Sequence, residues 1–206
     1  GNGGGQGSAG ILQGTFNSTG AIEWEEGWSL PFFTSIEDMI MDGTKIYIST
    51  SGSGLYTLDA TTGNLQRMTG SIHDSLGGLK LYQSNGVSTL YVGLLGTFST
   101  AAGVQTFDVA TQQFGSGQLL SGLPSDNIQG FAVSNDHVYV ATQNGIGRWN
   151  MTANDWDNPL TTADGLPASN IEDVKFISNT LYIASASGLT QYIPTTGAIS
   201  TNTSAD

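Results

Sequence analysis

Two stretches of the sequence repeat each other, and this repetition decides the fold. They read GLPSDNIQGFAVSNDHVYVATQNGIGRWN over Gly122–Asn150 and GLPASNIEDVKFISNTLYIASASGLTQY over Gly165–Tyr192. Their Leu-Pro pairs begin at Leu123 and Leu166, 43 residues apart. Self-similarity at a fixed period of about 20–50 residues is the sequence signature of a repeat architecture.

Earlier parts of the chain carry looser copies of the same unit. One copy starts at Ser29 with SLPFFTSIEDMIMDGTKIYIST, and another starts at Ser71 with SIHDSLGGLKLYQSNGVSTLYVG. The copy from Ser71 lacks the Leu-Pro pair and carries an insertion around residues 94–102. The leading stretch GILQGTFNSTGAIEWEEGW matches only the second half of a copy. The chain therefore contains four full copies and a half-copy.

Each full copy has the rhythm of four short β-strands. An apolar run is followed by a turn pair, an alternating apolar run around a tyrosine, a glycine-containing loop, a third run, and a weaker fourth run. Period-two alternation of β-branched and aromatic residues is the strand signal. The tyrosines of the alternating runs are Tyr47, Tyr91, Tyr139 and Tyr182.

One four-stranded sheet of this size cannot bury both of its faces, so successive sheets must stack. Radial stacking predicts an all-β β-propeller of four-stranded antiparallel blades, with the first strand of each copy lining a central channel. A β-sandwich is the alternative, but it does not require a sequence repeat. The predicted organisation is a flexible linker over residues 1–9, a half blade over 10–28, and blades over 29–70, 71–121, 122–164 and 165–206.

The half-copy leaves two alternatives for closing the ring. It could pair with the last blade and close the ring at the seam, because the final stretch AISTNTSAD is a weak rim strand. It could instead mark a fragment of a larger propeller. An open seam would also permit oligomerisation.

Composition narrows the classes of partner. The formal net charge is -12, with 17 Asp and Glu against 5 Lys and Arg, which argues against nucleic acid because phosphate recognition needs clustered cations. The acidity is typical of a soluble surface, and cation binding or a saline habitat is the alternative. There is no Cys, and no apolar run approaches the roughly 18 residues that span a bilayer, so we expect no membrane insertion in this segment.

The quoted copies resemble the two-component regulator propeller repeat. That family is similar in its Gly-Leu-Pro start, its aliphatic inner strand, its aromatic strand with Ala-Thr or Gly-Thr, and its closing aromatic. The resemblance implies blades of the kind found in the extracellular or periplasmic sensor regions of histidine kinases and in secreted and surface proteins. Those propellers usually carry more blades, and some are thought to sense carbohydrate.

A ligand face follows from the repeat. Loops that lead into the first strands and loops between second and third strands should share one end of a propeller, where small polar groups suit a glycan or a protein partner. The candidate ligand-binding residues are Trp28, Ser35, His73, Asp74, Asp126, Asn127, Asn144 and Asn170. Solvated loops without a ligand are the alternative.

Individual side chains give weaker signals. Trp28 precedes Leu30-Pro31 and is a candidate for an exposed aromatic platform. His73-Asp74 is a poor catalytic pair because no nucleophile is placed beside it, and we expect no catalytic residue. His137 is expected in an exposed turn.

Asp155 and Asp157 are candidates for a bound Ca²⁺, because they lie in an oxygen-rich stretch, but the glycine and distal glutamate of an EF-hand loop are missing. No other cofactor or metal is expected.

The leading hypothesis is a non-catalytic extracellular, periplasmic or cell-surface propeller that binds a ligand or a protein. The alternatives are part of a secreted polysaccharide lyase or hydrolase, and a structural repeat module of a large surface protein. Turn and packing residues specify a fold and leave the ligand open.

Overall fold

The computed structural model describes residues 10–24, 27–30, 35–95, 103–116, 118–119, 123–153 and 155–202. The described residues form strands throughout, with one 3-10 turn at Thr162–Asp164 and no α-helix. Within the same residues no helix has the length and apolarity needed to cross a bilayer. The all-β prediction is confirmed.

Four antiparallel sheets follow one another along the chain, and each is wound from its first strand to its fourth. Sheet 1 has β5 (Ser35–Asp42), β6 (Lys45–Ser51), β7 (Gly54–Asp59) and β8 (Leu65–Arg67). Sheet 2 has β9 (Leu76–Ser84), β10 (Val87–Leu94), β11 (Gly103–Asp108) and β12 (Gln113–Phe114), and the short β13 (Gln118–Leu119) also pairs with β11. Sheet 3 has β14 (Ile128–Val133), β15 (His137–Thr142), β16 (Gly145–Asn150) and β17 (Asp155–Leu160), and sheet 4 has β18 (Ile171–Ile177), β19 (Thr180–Ser185), β20 (Gly188–Ile193) and β21 (Ala198–Asn202).

The half-copy forms two small ribbons of its own. β1 (Gly10–Ile11) pairs with β4 (Trp28–Ser29), and β2 (Gly14–Phe16) pairs with β3 (Ile22–Trp24). Within the described residues none of these strands pairs with β21, so the strand exchange considered for the seam is not formed. Ile11 packs instead on the first full copy, against Ile48 and Leu58 of sheet 1.

A repeated polar turn identifies β2 and β3 as a third and a fourth strand. After the third strand, an Asp or Asn side chain accepts the backbone N–H two or three residues onward, an Asx turn. The same bond recurs in the half-copy and in sheets 1, 2 and 3, with the accepting side chain given first and the donating N–H second: Asn17 and Thr19 at 3.0 Å, Asp59 and Thr61 at 2.9 Å, Asp108 and Thr111 at 2.8 Å, and Asn150 and Thr152 at 3.0 Å.

The two faces of each sheet pack against different neighbours. The face toward the preceding copy, here called the leading face, carries the aliphatic residues of the second strand, such as Val138 and Val140. The face toward the following copy, the trailing face, carries the tyrosine between them, such as Tyr139. Because side chains alternate along a strand, one second strand serves two junctions.

The tyrosines of sheets 1, 2 and 3 pack in the junctions between successive sheets. Tyr47 meets Phe107 edge-on with ring centroids 5.9 Å apart, and Tyr139 stacks on Phe176 at the same distance. Burial in its junction raises the pKa of Tyr139 to about 12, and the charge of Asp136 acts in the same direction. The apolar core is therefore a series of junctions between sheets, as stacking of repeats requires.

Candidate functional site

The first strands of the four sheets lie side by side around one cavity. β5 packs against β9, β9 against β14, and β14 against β18. The cavity has a volume of about 510 Å³ and is lined by segments of all four first strands: residues 37–40, 77–80, 128–131 and 173–175, with Leu95. This is the channel that the sequence predicted for the inner strands.

Carboxylates enter the channel where the first strands are irregular. The pairing of β5 shifts between Ile36 and Asp38, and that of β18 shifts between Ile171 and Asp173. Such β-bulges re-aim side chains. Asp38 accepts the N–H of Leu79 in the next sheet at 2.8 Å, so this carboxylate joins two sheets as well as lining the cavity.

Two lysines line the same cavity from one position of the repeat. Lys80 lies opposite Tyr91 and Lys175 lies opposite Tyr182 in the pairing of first and second strands. The salt bridges of the described residues involve neither of them. The chain has only 5 Lys and Arg, and two of these few cations line the same channel as the carboxylates Glu37, Asp38 and Asp173.

The loops predicted to share one end of the molecule contact each other there. The carbonyl of Asp74 accepts the N–H groups of Gly52 and Gly54 at 3.0 and 2.9 Å. The carbonyl of Asn127 accepts the N–H of Gln143 at 3.3 Å. Loops that enter first strands therefore pair with loops that join second and third strands.

The predicted ligand residues of these loops differ in their availability. Asp74 is held by Arg67 in an ion pair of 2.6 Å, and both side chains are about half exposed. The remaining exposed members line neither the channel cavity nor the small pocket beside Arg67 and Asp74: Ser35, Asp126, Asn127, Asn144 and Asn170. Ligand binding by these residues stays a prediction.

His73 is placed differently from a ligand-binding side chain. The residue is half-buried, and both of its ring nitrogens are shielded from solvent and have no hydrogen-bond partner among the described residues. An imidazole in this setting offers no accessible donor or acceptor to a ligand. Its neighbour Asp74 points into the ion pair with Arg67, so the two do not act as a pair.

The expectation of an exposed platform at Trp28 is wrong. Trp28 is half-buried against the leading face of sheet 1, and its indole N–H donates to the carbonyl of Gly63 at 3.1 Å. Trp28 pairs with Ile11 in the β1–β4 ribbon. Trp24, on β3, is the exposed indole of this region.

The expectation of an exposed turn at His137 is also wrong. His137 begins β15, and its side chain is only 16% exposed. Its Nε2 lies 2.8 Å from Asp157, and its Nδ1 lies 3.2 Å from Asp136. The hydrogen bond to Asp157 fixes the orientation of the ring, and the Asp136 carboxylate lies beside the other ring nitrogen.

The two candidates for calcium binding, Asp155 and Asp157, each contact a group of their own sheet. Asp157 meets the His137 ring, and Asp155 accepts the N–H of Trp156 at 2.8 Å. The described part of the chain contains no group of three or more His, Asp or Glu side chains arranged to hold a metal ion. Neighbouring Asn154 lies outside the described residues.

Sequence reasoning found the loops but missed the charged lining of the channel. Lys80 and Lys175 lie in apolar runs that were interpreted as first strands only. The signal that could have found them is their common position in the repeat, because each lies in a first strand opposite the recurring tyrosine of the second strand.

Comparisons with known proteins bear on the fold. No protein-family model matches the sequence, and no curated protein matches it. Solved structures do match. The extracellular domain of BT4673 from B. thetaiotaomicron, described as a one-component system, has 18% identity and a TM-score of 0.63 over 84% of this chain and 22% of its own. The extracellular domain of the hybrid two-component system BT3049 from the same organism has 14% identity and a TM-score of 0.60 over 82% and 24%.

A yeast protein extends the match to nearly the whole chain. Saccharomyces cerevisiae Sqt1 has 12% identity and a TM-score of 0.70 over 94% of this chain and 55% of its own. The chain thus spans less than a quarter of the two bacterial domains and about half of Sqt1. At these identities the likeness shows the fold, which is the β-propeller architecture of repeated four-stranded sheets. The resemblance to two-component regulator propellers is confirmed at that level.

Proposed function

We propose that this chain is a non-catalytic propeller module of an extracellular, sensor-type protein, and that it binds a hydroxyl-rich ligand such as a glycan in its channel. The four sheets are the blades of this proposal, over residues 29–70, 71–121, 122–164 and 165–206. The observation that carries it is the convergence of four first strands on one cavity of about 510 Å³ with Lys80, Lys175 and Asp173 in its wall.

The lining suits a polar ligand. Lysine ammonium groups donate hydrogen bonds and carboxylates accept them. Neighbouring hydroxyls of a sugar can therefore accept from a lysine and donate to a carboxylate in the same wall. Small-molecule sites are concave and use a few placed polar groups for orientation. The similarity to extracellular sensor domains supports an extracellular setting for such binding.

The test is titration calorimetry of the chain with a panel of neutral and acidic oligosaccharides, repeated with a Lys80→Met/Lys175→Met double variant. We expect a ligand whose affinity falls at least about tenfold in the variant, equivalent to roughly 1.4 kcal/mol. Lys45→Met is the matched control, because Lys45 begins β6 and does not line the cavity. Absence of heat and of any thermal shift with every sugar would refute the glycan proposal.

A polysaccharide lyase or hydrolase is the competing function. Two of the channel carboxylates already accept backbone N–H groups, Asp38 from Leu79 and Asp173 from Val174, each at 2.8 Å. Because these carboxylates are already engaged as acceptors of backbone N–H groups, they suit a fixed binding wall better than a general acid that must give a proton to a glycosidic oxygen. New reducing ends after incubation with acidic polysaccharides would support the enzyme instead.

A further inference from the structure

Equivalent positions of the sheets are buried inside the molecule and exposed at its last sheet. On the trailing face of the third strand, Leu55 of sheet 1 and Ile146 of sheet 3 are fully buried. Their counterpart in sheet 4, Leu189, is 44% exposed. Ile177 and Ile193 of the same face are also exposed. The last sheet therefore presents a finished junction surface with nothing covering it in the described residues.

The half-copy presents the opposite surface. The pairing of Phe16 with Ile22 and of Gly14 with Trp24 puts the three large apolar side chains on one face of the β2–β3 hairpin. Phe16 is 77% and Trp24 65% exposed. An isolated two-stranded hairpin is marginal in water, so this ribbon gains most from a covering surface.

The internal junctions show what such a pair of side chains does when it is covered. On third and fourth strands, Phe107 pairs with Phe114 and Trp149 pairs with Trp156. These rings contact each other at centroid distances of 5.0 and 5.3 Å and pack into the junction with the preceding sheet. Phe16 and Ile22 occupy the same strands of the half-copy, where no preceding sheet is present among the described residues.

We propose that the β2–β3 hairpin of one copy of this chain docks on the trailing face of sheet 4 of a second copy. The contact is a continuation of the three junctions already formed within the chain, each of which joins the trailing face of one sheet to the leading face of the next. The chain does not bring its own two surfaces together, since Phe16 and Leu189 are both exposed in the same structure.

The resulting contact is head-to-tail. The two surfaces differ, so a pair of chains can use two such contacts and close, or continue into longer assemblies. A face-to-face dimer of two sheet-4 surfaces is a different geometry, and it makes a different prediction for substitutions in the hairpin.

The experiment is light scattering after size-exclusion chromatography of the full chain at concentrations up to about 100 µM, a range that reveals micromolar association. We expect a mass of at least twice the chain mass of 21.5 kDa. Phe16→Arg and Leu189→Arg each remove one of the two surfaces and should each give the monomer. Mixing the two variants leaves one intact hairpin and one intact sheet-4 face, so the mixture should recover a 1:1 complex.

Val87→Arg is the matched control, because Val87 is 58% exposed at the start of β10 and lies on neither surface. It should self-associate as the unmodified chain does. Trp24→Arg repeats the hairpin test independently if Phe16→Arg fails to fold by circular dichroism. A monomeric unmodified chain, association that survives Phe16→Arg, or a mixture that stays monomeric would each overturn the proposal.

Discussion

Asp136 is a single carboxylate that holds the turn between β14 and β15. Its Oδ1 accepts the hydroxyl of Ser134 at 2.7 Å and lies 3.2 Å from Nδ1 of His137. The Ser134 hydrogen bond, followed by the contact with the His137 ring, keeps the pKa of Asp136 below its ordinary value of 3.8. A lowered pKa in the folded state means that the unfolded chain binds the proton at higher pH.

The consequence is a stability contribution that depends on pH. It is complete above about pH 4, where unfolded Asp is ionised, and it is lost as the pH falls through the lower folded-state pKa. We expect Asp136→Asn to reduce the free energy of unfolding by about 0.5–1 kcal/mol at pH 7, a modest value because the side chain is 66% exposed.

Urea unfolding followed by tryptophan fluorescence at pH 7 and pH 2 measures this difference. The difference in free energy of unfolding between the variant and the unmodified chain should be smaller at pH 2 than at pH 7. Asp126→Asn is the control, because Asp126 is an exposed carboxylate in the loop before β14. Its free energy of unfolding should differ little from that of the unmodified chain at either pH. If Asp136→Asn lowered the free energy of unfolding equally at both pH values, the charge-based explanation would be contradicted.

At the scale of the element, the turns between second and third strands of sheets 1, 3 and 4 share one construction. Each of these three turns begins with a hydroxyl residue and ends at a glycine of positive φ, whose carbonyl accepts that hydroxyl. The hydroxyl–carbonyl pairs are Thr50 with Gly54 at 2.7 Å, Thr142 with Gly145 at 2.8 Å and Ser185 with Gly188 at 3.4 Å.

Gly145→Ala tests this construction. Gly145 has a φ of 119°, and an added Cβ would press on the carbonyl oxygen of Leu160. Gly197 has a φ of 71° with open space around it, so Gly197→Ala isolates the backbone cost of about 1 kcal/mol. We expect Gly145→Ala to lower the free energy of unfolding by about 2 kcal/mol more than Gly197→Ala does. Equal losses in urea unfolding would show that sheet 3 relaxes around the new methyl group.

Strand order and hairpin turns were predictable because local residues determine them. Asn85-Gly86 and Ser178-Asn179 have the positive φ values that tight hairpins require. The turn after β14 is built otherwise, since the Ser134 hydroxyl accepts the N–H of His137 at 2.9 Å. The orientation of His137 and the covering of Trp28 were missed because residues distant in sequence, Asp157 and Gly63, decide them.

The channel shows the same limit. The repeat placed the first strands around it, but the projection of Asp38 and Asp173 depends on β-bulges that the alternating pattern does not reveal. The positions of the loops could therefore be predicted, because they follow from strand order. The side chains of the channel wall could not, because irregular strand pairing sets their direction.

At the scale of the whole molecule, the sheets differ in how many covered faces they have. Sheet 3 is packed between sheets 2 and 4, whereas sheet 4 has its trailing face exposed. Stability in stacked repeats is a sum over units and junctions, so a unit with one junction opens more readily than a unit with two.

Hydrogen exchange measures this difference directly. We expect the amides of Val138 and Val140 in β15 to exchange at least about tenfold more slowly than those of Leu181 and Ile183 in β19. The comparison is matched because these are the same strand positions of two copies, and all four side chains are buried. It should be made with the monomeric Leu189→Arg chain, in which the sheet-4 face stays uncovered. Equal protection would indicate a single cooperative unit.

The alternation of tyrosine and aliphatic residues on each second strand has a genetic consequence. Each copy contributes one face to the junction before it and the other face to the junction after it. In sheet 3, Val140 packs toward sheet 2 and Tyr139 packs toward sheet 4. Tandem duplication or deletion of a whole copy therefore preserves every junction, whatever the number of copies. A crossover inside a copy would join mismatched halves, so we expect gene rearrangements in this sequence to preserve folding only when they add or remove whole repeats.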